Sequence, residues 1–345
     1  MKLSSIGEFG LIEMIRTMVS RNPSSVLIGI GDDAAALKVH SSSLLLATTD
    51  MLLEDVHFDL SYTDFNSLGW KAAAVNLSDI AAMGGVPRFC LTSLGIPSSV
   101  SVRQMADFYD GFGSMLRTHR TALVGGDTCS SRSGVVINVT VLGETEKKRI
   151  ITRAGAKRAD RIFVTGTLGD SAAGMELLRK GARGKGPGTW ERKLIQKHLR
   201  PAPRVEWGRM LARAKCASAM IDISDGLSSD LAHICEESGI GAELFSDALP
   251  FSEAFRKSAD QLSKPPLHYA LSGGEDYELL FTVPLARMKA LKALDIPVTE
   301  IGTITRGHEL LLVNDVGEKN ALQPAGYNHF KRSKGARNTR RRSSA

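Results

Sequence analysis

Aspartates beside glycines, or at the ends of short apolar segments, constrain the fold of this chain more than any other feature. The segment LIGIGDDAAAL (27–37) places Asp32 and Asp33 directly after a Gly-x-Gly turn. Further aspartates stand at the predicted ends of other strands: Asp50, Asp127, Asp222 and Asp225. Because ligands of open α/β folds gather outside the carboxyl ends of the strands, we expect these carboxylates to share one crevice.

Short apolar strands alternate with helical patterns along the chain, which predicts the α/β class. In the first half, strands are predicted at 26–30, 44–49, 88–96, 122–126 and 134–144, and helices at 64–84 and 101–119. In the second half, RIFVTGTLGDSAAGMELL is predicted to form a strand, a turn and a helix. Further strands are predicted at SAMIDI, GAELF, YELLFTV, TEIGTIT and ELLLV, and a further helix at GLSSDLAHICEES. Asp64 is the predicted N-cap of the first helix, and Gly84 with Gly85 its predicted end.

The length of 345 residues favours two domains. A charged stretch, EKKRIITRAGAKRAD, places the expected boundary near residue 150, with domains at 1–150 and 151–330 and a tail at 331–345. The glycine-rich segment 179–191 is expected to be a surface loop. It contains no G-x-x-x-x-G-K-[ST] motif, and this excludes a P-loop.

The first residues, MKLSSIGEFGLIEMIRTM, are expected to form an amphipathic helix rather than a signal peptide, because Glu8, Glu13 and Arg16 interrupt the apolar run. No apolar run reaches the ~18 residues of a membrane span, so no membrane partner is expected. The cysteines fit no zinc-binding spacing: Cys90, Cys129, Cys216 and Cys235. Isolated cysteines without a secretion signal indicate a cytoplasmic protein.

The net charge of +7 is concentrated in one segment. The last fifteen residues, KRSKGARNTRRRSSA, contain seven basic residues and no acidic ones, so residues 1–330 have no net charge. This composition is typical of a disordered tail, and nucleic-acid contact is expected only from residues 331–345.

The crowded aspartates indicate a site for several Mg²⁺ ions. Carboxylates close together raise one another's pKa, and hard divalent cations relieve their repulsion. Asp79 strengthens this interpretation, because it lies on the otherwise apolar helix KAAAVNLSDIAAMGG, where a carboxylate needs a partner or a metal ion.

A dinucleotide site is the alternative, since GIGDDA fits G-x-G-x-x-A and Asp50 lies near the expected ribose-binding distance. It fails because Asp32 and Asp33 would repel the pyrophosphate. In addition, only about eight residues separate the turn from the next strand, whereas a parallel crossover needs at least ~10–12.

Ten ordered motifs resemble the thiamine-monophosphate kinase family, within the superfamily of aminoimidazole ribonucleotide synthetase and selenophosphate synthetase. They are GEFGLI, GIGDDAA, TTDMLLEDVHF, KAAAVNLSDIAAMGG, LVGGDT, TRAGAKRADRIFVTGTLGDSAAG, HLRPAPR, DISDGLSSDL, SGGEDYELLF and GYNHF. The resemblance runs from about residue 6 to residue 330 and leaves out only the basic tail.

The resemblance implies a two-domain α/β fold of the α+β type, like that of aminoimidazole ribonucleotide synthetase, with the N-terminal sheets paired across a homodimer. It implies ATP as co-substrate and transfer of its γ-phosphoryl group to thiamine monophosphate, giving thiamine diphosphate. We expect direct in-line transfer assisted by Mg²⁺, because the acceptor phosphate is already ionised near neutral pH and needs no strong base.

The resemblance also implies the site residues. Metal ligands are expected at Asp33, Thr48, Thr49, Asp50, Asp79, Asp127, Asp222 and Asp225. ATP contacts are expected at Gly126, Asp127, Arg153, Ser224 and Tyr109, and substrate contacts at His57, Glu275 and Tyr327. The residues expected to be catalytic are Asp50, Asp79 and Asp127.

Two alternative functions stay open at this point. The chain could be another ATP-dependent enzyme of the same superfamily, such as an aminoimidazole ribonucleotide synthetase. It could also be a non-enzymatic RNA-associated protein acting through its tail, although that function leaves the aspartates unexplained. Selenophosphate synthetase is disfavoured, because SSIGEFG lacks the reactive Cys and the Lys of that family.

Overall fold

The computed structural model describes residues 26–28, 32–38, 42–181 and 188–326, which form two β-sheets with helices packed against them. The first sheet has the order β1-β2-β3-β6-β4-β5. Its strands are β1 (Val26–Ile28), β2 (Ala35–Lys38), β3 (Ser43–Leu53), β4 (Val86–Ile96), β5 (Ala122–Ser130) and β6 (Val136–Glu146).

The second sheet has the order β13-β12-β9-β11-β7-β10-β8. Its strands are β7 (Arg161–Thr165), β8 (Ala219–Asp222), β9 (Gly241–Phe245), β10 (Leu279–Val283), β11 (Val298–Thr305), β12 (Leu310–Val313) and β13 (Lys319–Ala321). Mixed sheets with helices confirm the predicted α/β class.

The helices in the described part of the chain include a long central one and several short ones. They are α1 (Phe65–Ala82), α2 (Val102–Thr118), α3 (Asp170–Gly181), α4 (Thr189–Leu199), α5 (Val205–Ala214), α6 (Leu227–Ser238), α7 (Glu253–Ser258), α8 (Pro266–Ser272) and α9 (Met288–Lys292). None of these helices has both the length and the apolarity that crossing a membrane requires.

Helix α1 is buried on nearly all sides, which explains its apolar composition. Asp64 caps its start by accepting a hydrogen bond from the Ser67 backbone N–H at 2.8 Å, as predicted. On one side α1 packs against α2 so closely that a Cβ on Gly69 would lie 1.9 Å from the Phe108 carbonyl oxygen. On the other side it contacts α5 and β8 of the second half, so α1 connects the two halves.

The two halves also share hydrophobic core. One cluster of buried side chains joins Leu46 and Ile137 of the first sheet to Ile80 of α1 and to Met220 and Phe281 of the second sheet. The predicted boundary near residue 150 falls in the connection between the sheets and stays a prediction.

Strands β1, β2 and β3 are successive antiparallel neighbours. The chain therefore turns back at β2 and makes no parallel crossover between β1 and β3, which excludes the dinucleotide-binding unit. The lengths of β3 and β5 correct the expectation that Asp50 and Asp127 lie at strand ends, because β3 continues to Leu53 and β5 to Ser130. Asp50 lies within β3 and Asp127 within β5, so their side chains project from a sheet face instead.

The segment 179–191 is not entirely a loop, because α3 continues to Gly181 and α4 begins at Thr189. Apolar side chains on both flanks bury against each other, among them Leu177 and Leu194, and they extend the helices into the segment. Three expectations lie outside the described residues: the N-terminal amphipathic helix, the position of Tyr327, and the tail at 331–345.

Candidate active site

Three aspartates from distant parts of the chain meet at one point. Asp33 lies just before β2, Asp79 lies in the last turn of α1, and Asp222 ends β8. One carboxylate oxygen from each lies within 4.8 Å of the other two. Carboxylate oxygens at this spacing are suitable ligands for a hard divalent cation such as Mg²⁺.

Two further aspartates, Asp32 and Asp50, lie close enough to this group for the charge of Asp33 to affect their ionisation. Burial, followed by the charge of Asp33, raises the pKa of Asp32 to about 7, that of Asp50 to about 6 and that of Asp222 to about 8. Burial and the charges of neighbouring acids also raise the pKa of Asp79 well above its ordinary value. We call Asp32, Asp33, Asp50, Asp79 and Asp222 the aspartate cluster.

The protein neutralises the aspartate cluster only in part. Arg153 binds Asp33 through two nitrogens, Nη2 to Oδ1 at 2.8 Å and Nε to Oδ2 at 3.2 Å. Ser78 donates its hydroxyl to Asp222 at 2.6 Å, and Thr48 donates to Asp79. One guanidinium and two hydroxyls do not balance five carboxylates, so bound cations would stabilise this arrangement.

The two predicted threonine ligands lie on opposite faces of β3. Thr48 is buried and faces Asp79. Thr49 is exposed and contacts the Thr140 hydroxyl at 3.0 Å on the other face. Because neighbouring strand residues alternate between faces, the structure brings the Thr48 side chain to the cluster and directs that of Thr49 away from it.

Gly126, Asp127 and Tyr109 lie together around a cleft of about 350 Å³ that Thr92 also lines. A Cβ at position 126 would lie 2.0 Å from the Thr92 carbonyl oxygen, so only glycine allows β5 to approach β4 this closely. Asp127 is exposed, and it lies outside the group of three aspartates that meet at Asp33. The structure therefore separates the predicted nucleotide contacts on β5 from the aspartate cluster.

Ser224 and Asp225 lie in the turn between Asp222 and the first residue of α6. The Ser224 carbonyl oxygen accepts a hydrogen bond from the Glu275 backbone N–H at 2.7 Å. This bond fixes the predicted substrate residue Glu275 next to the turn that holds the predicted ATP contact Ser224.

A compensated acidic site surrounds Glu275. Lys71 Nζ lies 2.7 Å from one carboxylate oxygen, and His198 Nδ1 lies 3.3 Å from the other. Burial alone would raise the pKa of Glu275, but the charge of Lys71 and the hydrogen bond from its ammonium group lower it below its ordinary value. Burial and the neighbouring Lys71 lower the pKa of His198 to about 3, so the ring contacts Glu275 as a neutral imidazole.

Tyr277 is close enough to both acidic sites to be affected by the charges of each. Its side chain is buried, and its pKa is raised by burial and then by the charges of Glu275, Asp50, Asp222 and Asp79. Both acidic sites are therefore close to the same phenol group.

His57 contributes to lowering the pKa of Glu275, which brings the two predicted substrate residues into one region. Its Nδ1 accepts a hydrogen bond from the Leu53 backbone N–H at 3.0 Å, leaving Nε2 to carry the proton of a neutral ring. Tyr327 is outside the described residues. The chain leading to it is held at Gly326, whose N–H donates to the Ser229 hydroxyl of α6 at 2.8 Å.

Sequence reasoning missed Lys71, His198 and Tyr277. Lys71 had a usable signal, since it is a charged residue on the same apolar helix that made Asp79 conspicuous. His198 and Tyr277 had no such signal, because an isolated histidine or tyrosine is commonly buried in a core.

Comparison with known proteins identifies the family. Residues 31–145 match the model of the AIR synthase related protein, N-terminal domain, and residues 157–313 match that of its C-terminal domain. The thiamine-monophosphate kinase of Aquifex aeolicus is 40% identical over 330 residues, which cover 96% of this chain and all of that protein. The chain belongs to the thiamine-monophosphate kinase family.

Further members of the family support this assignment. The thiamine-monophosphate kinase of Bacillus subtilis is 39% identical, with 94% of this chain and 99% of that protein covered. A solved structure described as AaThiL complexed with AMPPCP and TMP is 39% identical and has a TM-score of 0.84. That comparison covers 95% of this chain and 99% of the other, so the resemblance inferred from the ten motifs is confirmed.

Proposed function

We propose that this chain transfers the γ-phosphoryl group of ATP to thiamine monophosphate and forms thiamine diphosphate. Relatives about 40% identical over nearly the full chain are named for this activity. A relative of the same fold is described in complex with AMPPCP and TMP. Within this molecule, the observation that carries the proposal is the incompletely neutralised aspartate cluster, which suits Mg²⁺ and the phosphates that Mg²⁺ binds.

Mg²⁺ fits the donor set, because the cluster offers carboxylate oxygens and the Thr48 hydroxyl, all hard ligands. Bound Mg²⁺ would neutralise phosphate charge and orient the reacting groups. Asp33, Asp79 and Asp222 are the inferred central ligands, with Asp50 alongside them. Asp225, Asp127 and a main-chain oxygen of Thr49 complete the proposed set.

The nucleotide site is inferred in two parts: the cleft around Gly126, Asp127 and Tyr109 on the first sheet, and Arg153 and Ser224 beside the aspartate cluster. Arg153 is held by Asp33. If Mg²⁺ takes over the Asp33 carboxylate, the guanidinium can turn its two N–H groups toward phosphate oxygens, which it binds well. Asp127 lies at the edge of this cleft, where it can hold a cation carried by the nucleotide.

We infer that the phosphoryl group moves directly from ATP to the acceptor phosphate. The candidate carriers for a phosphoenzyme, Asp50 and His57, have other roles here. Asp50 belongs to the cluster that binds cations, and His57 accepts a main-chain hydrogen bond at Nδ1. Positioning and charge neutralisation are sufficient for a direct transfer.

The route has a simple test. ATP labelled at the γ-phosphate should leave no stoichiometric label on the protein when thiamine monophosphate is absent. A labelled His57 or Asp50 that passes its phosphate to added thiamine monophosphate at the turnover rate would contradict direct transfer.

We also propose a homodimer in which the first sheet of one chain pairs with that of its partner. Apolar side chains on β3, β4 and β5 are exposed: Met51, Phe89, Leu91, Leu123 and Val124. Every residue of the edge strand β5 is exposed as well. An apolar surface of this kind is typical of a protein interface.

We place the domains of this enzyme at 1–150 and 151–330 and its reaction in the cytoplasm. The cytoplasm supplies ATP, and the structure shows all four cysteines as free thiols, which a reducing compartment maintains. Binding of nucleic acid, if the protein has that property, is assigned to residues 331–345, where its basic charge is concentrated.

Product analysis tests the proposed function. The full chain is incubated with ATP, Mg²⁺ and one acceptor at a time: thiamine monophosphate, thiamine, or an aminoimidazole ribonucleotide precursor. Thiamine diphosphate and ADP are expected from the first acceptor only. Turnover of the aminoimidazole precursor without turnover of thiamine monophosphate would contradict the proposal and favour the other superfamily activity.

A further inference from the structure

We propose that Lys71 is a positioning residue for the ring end of the substrate: it holds the Glu275 carboxylate in place to face the cationic thiamine. This inference rests on the proposed function. Lys71 touches Glu275 and acts through it, so it is distinct from a residue that contacts the reacting atoms.

The Lys71 ammonium group is buried and has one acidic partner among the described residues. The Lys71 side chain is 3% exposed, and its Nζ lies 2.7 Å from Glu275 Oε1. Lysine is rarely buried so completely, because removing its charge from water is costly unless a counter-ion is present. Truncating Glu275 would leave the Lys71 ammonium group buried without its acidic partner.

Glu275 is held in place on several sides and remains partly open. Its backbone N–H is bonded to Ser224, and its φ of 66° lies in the left-handed region that a side chain disfavours. Lys71 and His198 fix its two carboxylate oxygens, yet its side chain is 28% exposed. Residues held in such a strained conformation cluster at ligand-binding sites, where the surroundings enforce the geometry.

The position of Lys71 on α1 relates the two ends of the substrate. Lys71 and Asp79 are eight residues apart on one helix, which corresponds to about 12 Å at 1.5 Å per residue. Asp79 belongs to the aspartate cluster, where the proposed function places the phosphates. Lys71 and Glu275 therefore lie at the distance from the phosphates where the thiamine rings must extend.

The charges also match. Thiamine contains a permanently cationic thiazolium ring and an aminopyrimidine with hydrogen-bond donors. An ionised carboxylate with a lowered pKa complements both. The titratable groups that face Glu275 are the charged Lys71 from α1 and the imidazoles of His198 from α4 and His57 from the segment after β3, with Tyr277 two residues along the chain.

The experiment is a double-mutant cycle on the full chain, with ATP, Mg²⁺ and thiamine monophosphate. The variants are Lys71→Met, Glu275→Gln and the double variant. We expect each single change to raise the KM for thiamine monophosphate about 10-fold, with the KM for ATP unchanged and kcat within about threefold. The KM of the double variant for thiamine monophosphate should be at most about twofold higher than that of Glu275→Gln, because Lys71 acts through Glu275.

Lys71→Arg and Lys319→Met serve as companion variants. Lys71→Arg keeps the positive charge and should give a KM closer to that of the wild type than Lys71→Met does. It also keeps the test open if the methionine variant fails to fold. Lys319→Met removes an exposed lysine that pairs with Glu243 at 2.5 Å on the second sheet, and it should leave both KM values unchanged.

The outcomes separate this inference from the proposed function. A wild-type chain that does not phosphorylate thiamine monophosphate would overturn both. An active wild type whose Lys71 variants lose thermal stability but keep the KM for thiamine monophosphate would leave the function intact and reduce Lys71 to a structural role. Multiplicative effects in the double variant would show that Lys71 acts independently of Glu275, which also contradicts the inference.

Discussion

Two acidic sites lie along helix α1, and their electrostatics are opposite. At the Asp79 end, five carboxylates share one arginine, and burial with mutual repulsion raises the pKa values of Asp32, Asp50, Asp79 and Asp222. At the Lys71 end, burial would raise the pKa of Glu275, but the buried ammonium group of Lys71 holds it below its ordinary value. Carboxylates therefore form two different kinds of site in this protein. The aspartate cluster requires cations from solution to balance its charge, whereas Glu275 is ionised before any ligand binds.

The difference has a functional meaning. In the proposed function, the uncompensated cluster destabilises the fold until Mg²⁺ binds, and bound metal and phosphate would offset this loss of stability. A compensated carboxylate is ionised and oriented before any ligand arrives. This preorganisation suits recognition of a cationic ring.

The largest expected effect is on turnover after neutralisation of one cluster member. Asp79→Asn keeps the shape of the side chain but removes a charge that Mg²⁺ requires. We expect kcat with ATP and thiamine monophosphate to fall at least ~10²-fold, the loss typical of removing an electrostatic stabiliser. The same loss is expected for Asp50→Asn.

Asp295→Asn is the matched control, since Asp295 is exposed in the loop before β11 and should not affect turnover. Near-normal kcat in both Asp50→Asn and Asp79→Asn at saturating Mg²⁺ would show that the aspartate cluster does not take part in catalysis.

The next effect concerns the pH dependence of folding stability without metal. The folded-state pKa values of Asp32, Asp50 and Asp222, about 7, 6 and 8, lie above the ordinary value of 3.8. The folded state therefore binds more protons than the unfolded state. The stability that these groups contribute is present below about pH 4 and is lost as the pH rises towards about pH 8.

Thermal unfolding in EDTA, compared between the wild type and Asp222→Asn, measures this contribution. The asparagine variant has one carboxylate less to repel, so its Tm should exceed that of the wild type by an amount that grows with pH. A Tm difference that stays constant from about pH 4 to about pH 8 would show that Asp222 does not titrate with the raised pKa of about 8.

The smallest expected effect is a decrease in Tm when the Glu275 carboxylate is neutralised, which is opposite in sign to the effect at the aspartate cluster. Glu275→Gln leaves Lys71 buried without a counter-ion, so we expect the Tm in EDTA near neutral pH to fall by about 3 °C, or about 1–2 kcal/mol. Asp79→Asn under the same conditions should raise it. If Glu275→Gln and Asp79→Asn changed the Tm in the same direction, the aspartate cluster and the Glu275 site would not have opposite electrostatics.

The sequence predicted most elements and much of the chemistry. Apolar patterning was sufficient for β3, β4 and β6, and the Asp64 cap located the start of α1. The convergence of Asp33, Asp79 and Asp222 was expected from residue type and from glycine context.

The reason given for that convergence was partly wrong. Strand-end geometry applies to Asp222, whereas Asp50 reaches the cluster from the face of β3. Strand direction depends on pairing between distant segments, and a local pattern of apolar residues does not contain that information.

The compensated site was missed for a related reason. Lys71 meets Glu275 across 204 positions of the chain, and only the packing of α1 against the second half brings them together. A charged residue on an apolar helix was the one local signal. The sequence interpretation used this signal for Asp79 but not for Lys71.

The most direct test is the change in Tm caused by Mg²⁺ near pH 8, measured in one titration for the wild type, Asp79→Asn and Glu275→Gln. Near pH 8 the cluster carries more charge than it does at lower pH, so metal should raise the Tm of the wild type by several degrees. Glu275→Gln should show a shift of the same size from its lower starting value, and Asp79→Asn less than half of it. Equal shifts in all three proteins, or none in the wild type, would contradict the claim that the aspartate cluster is a cation site.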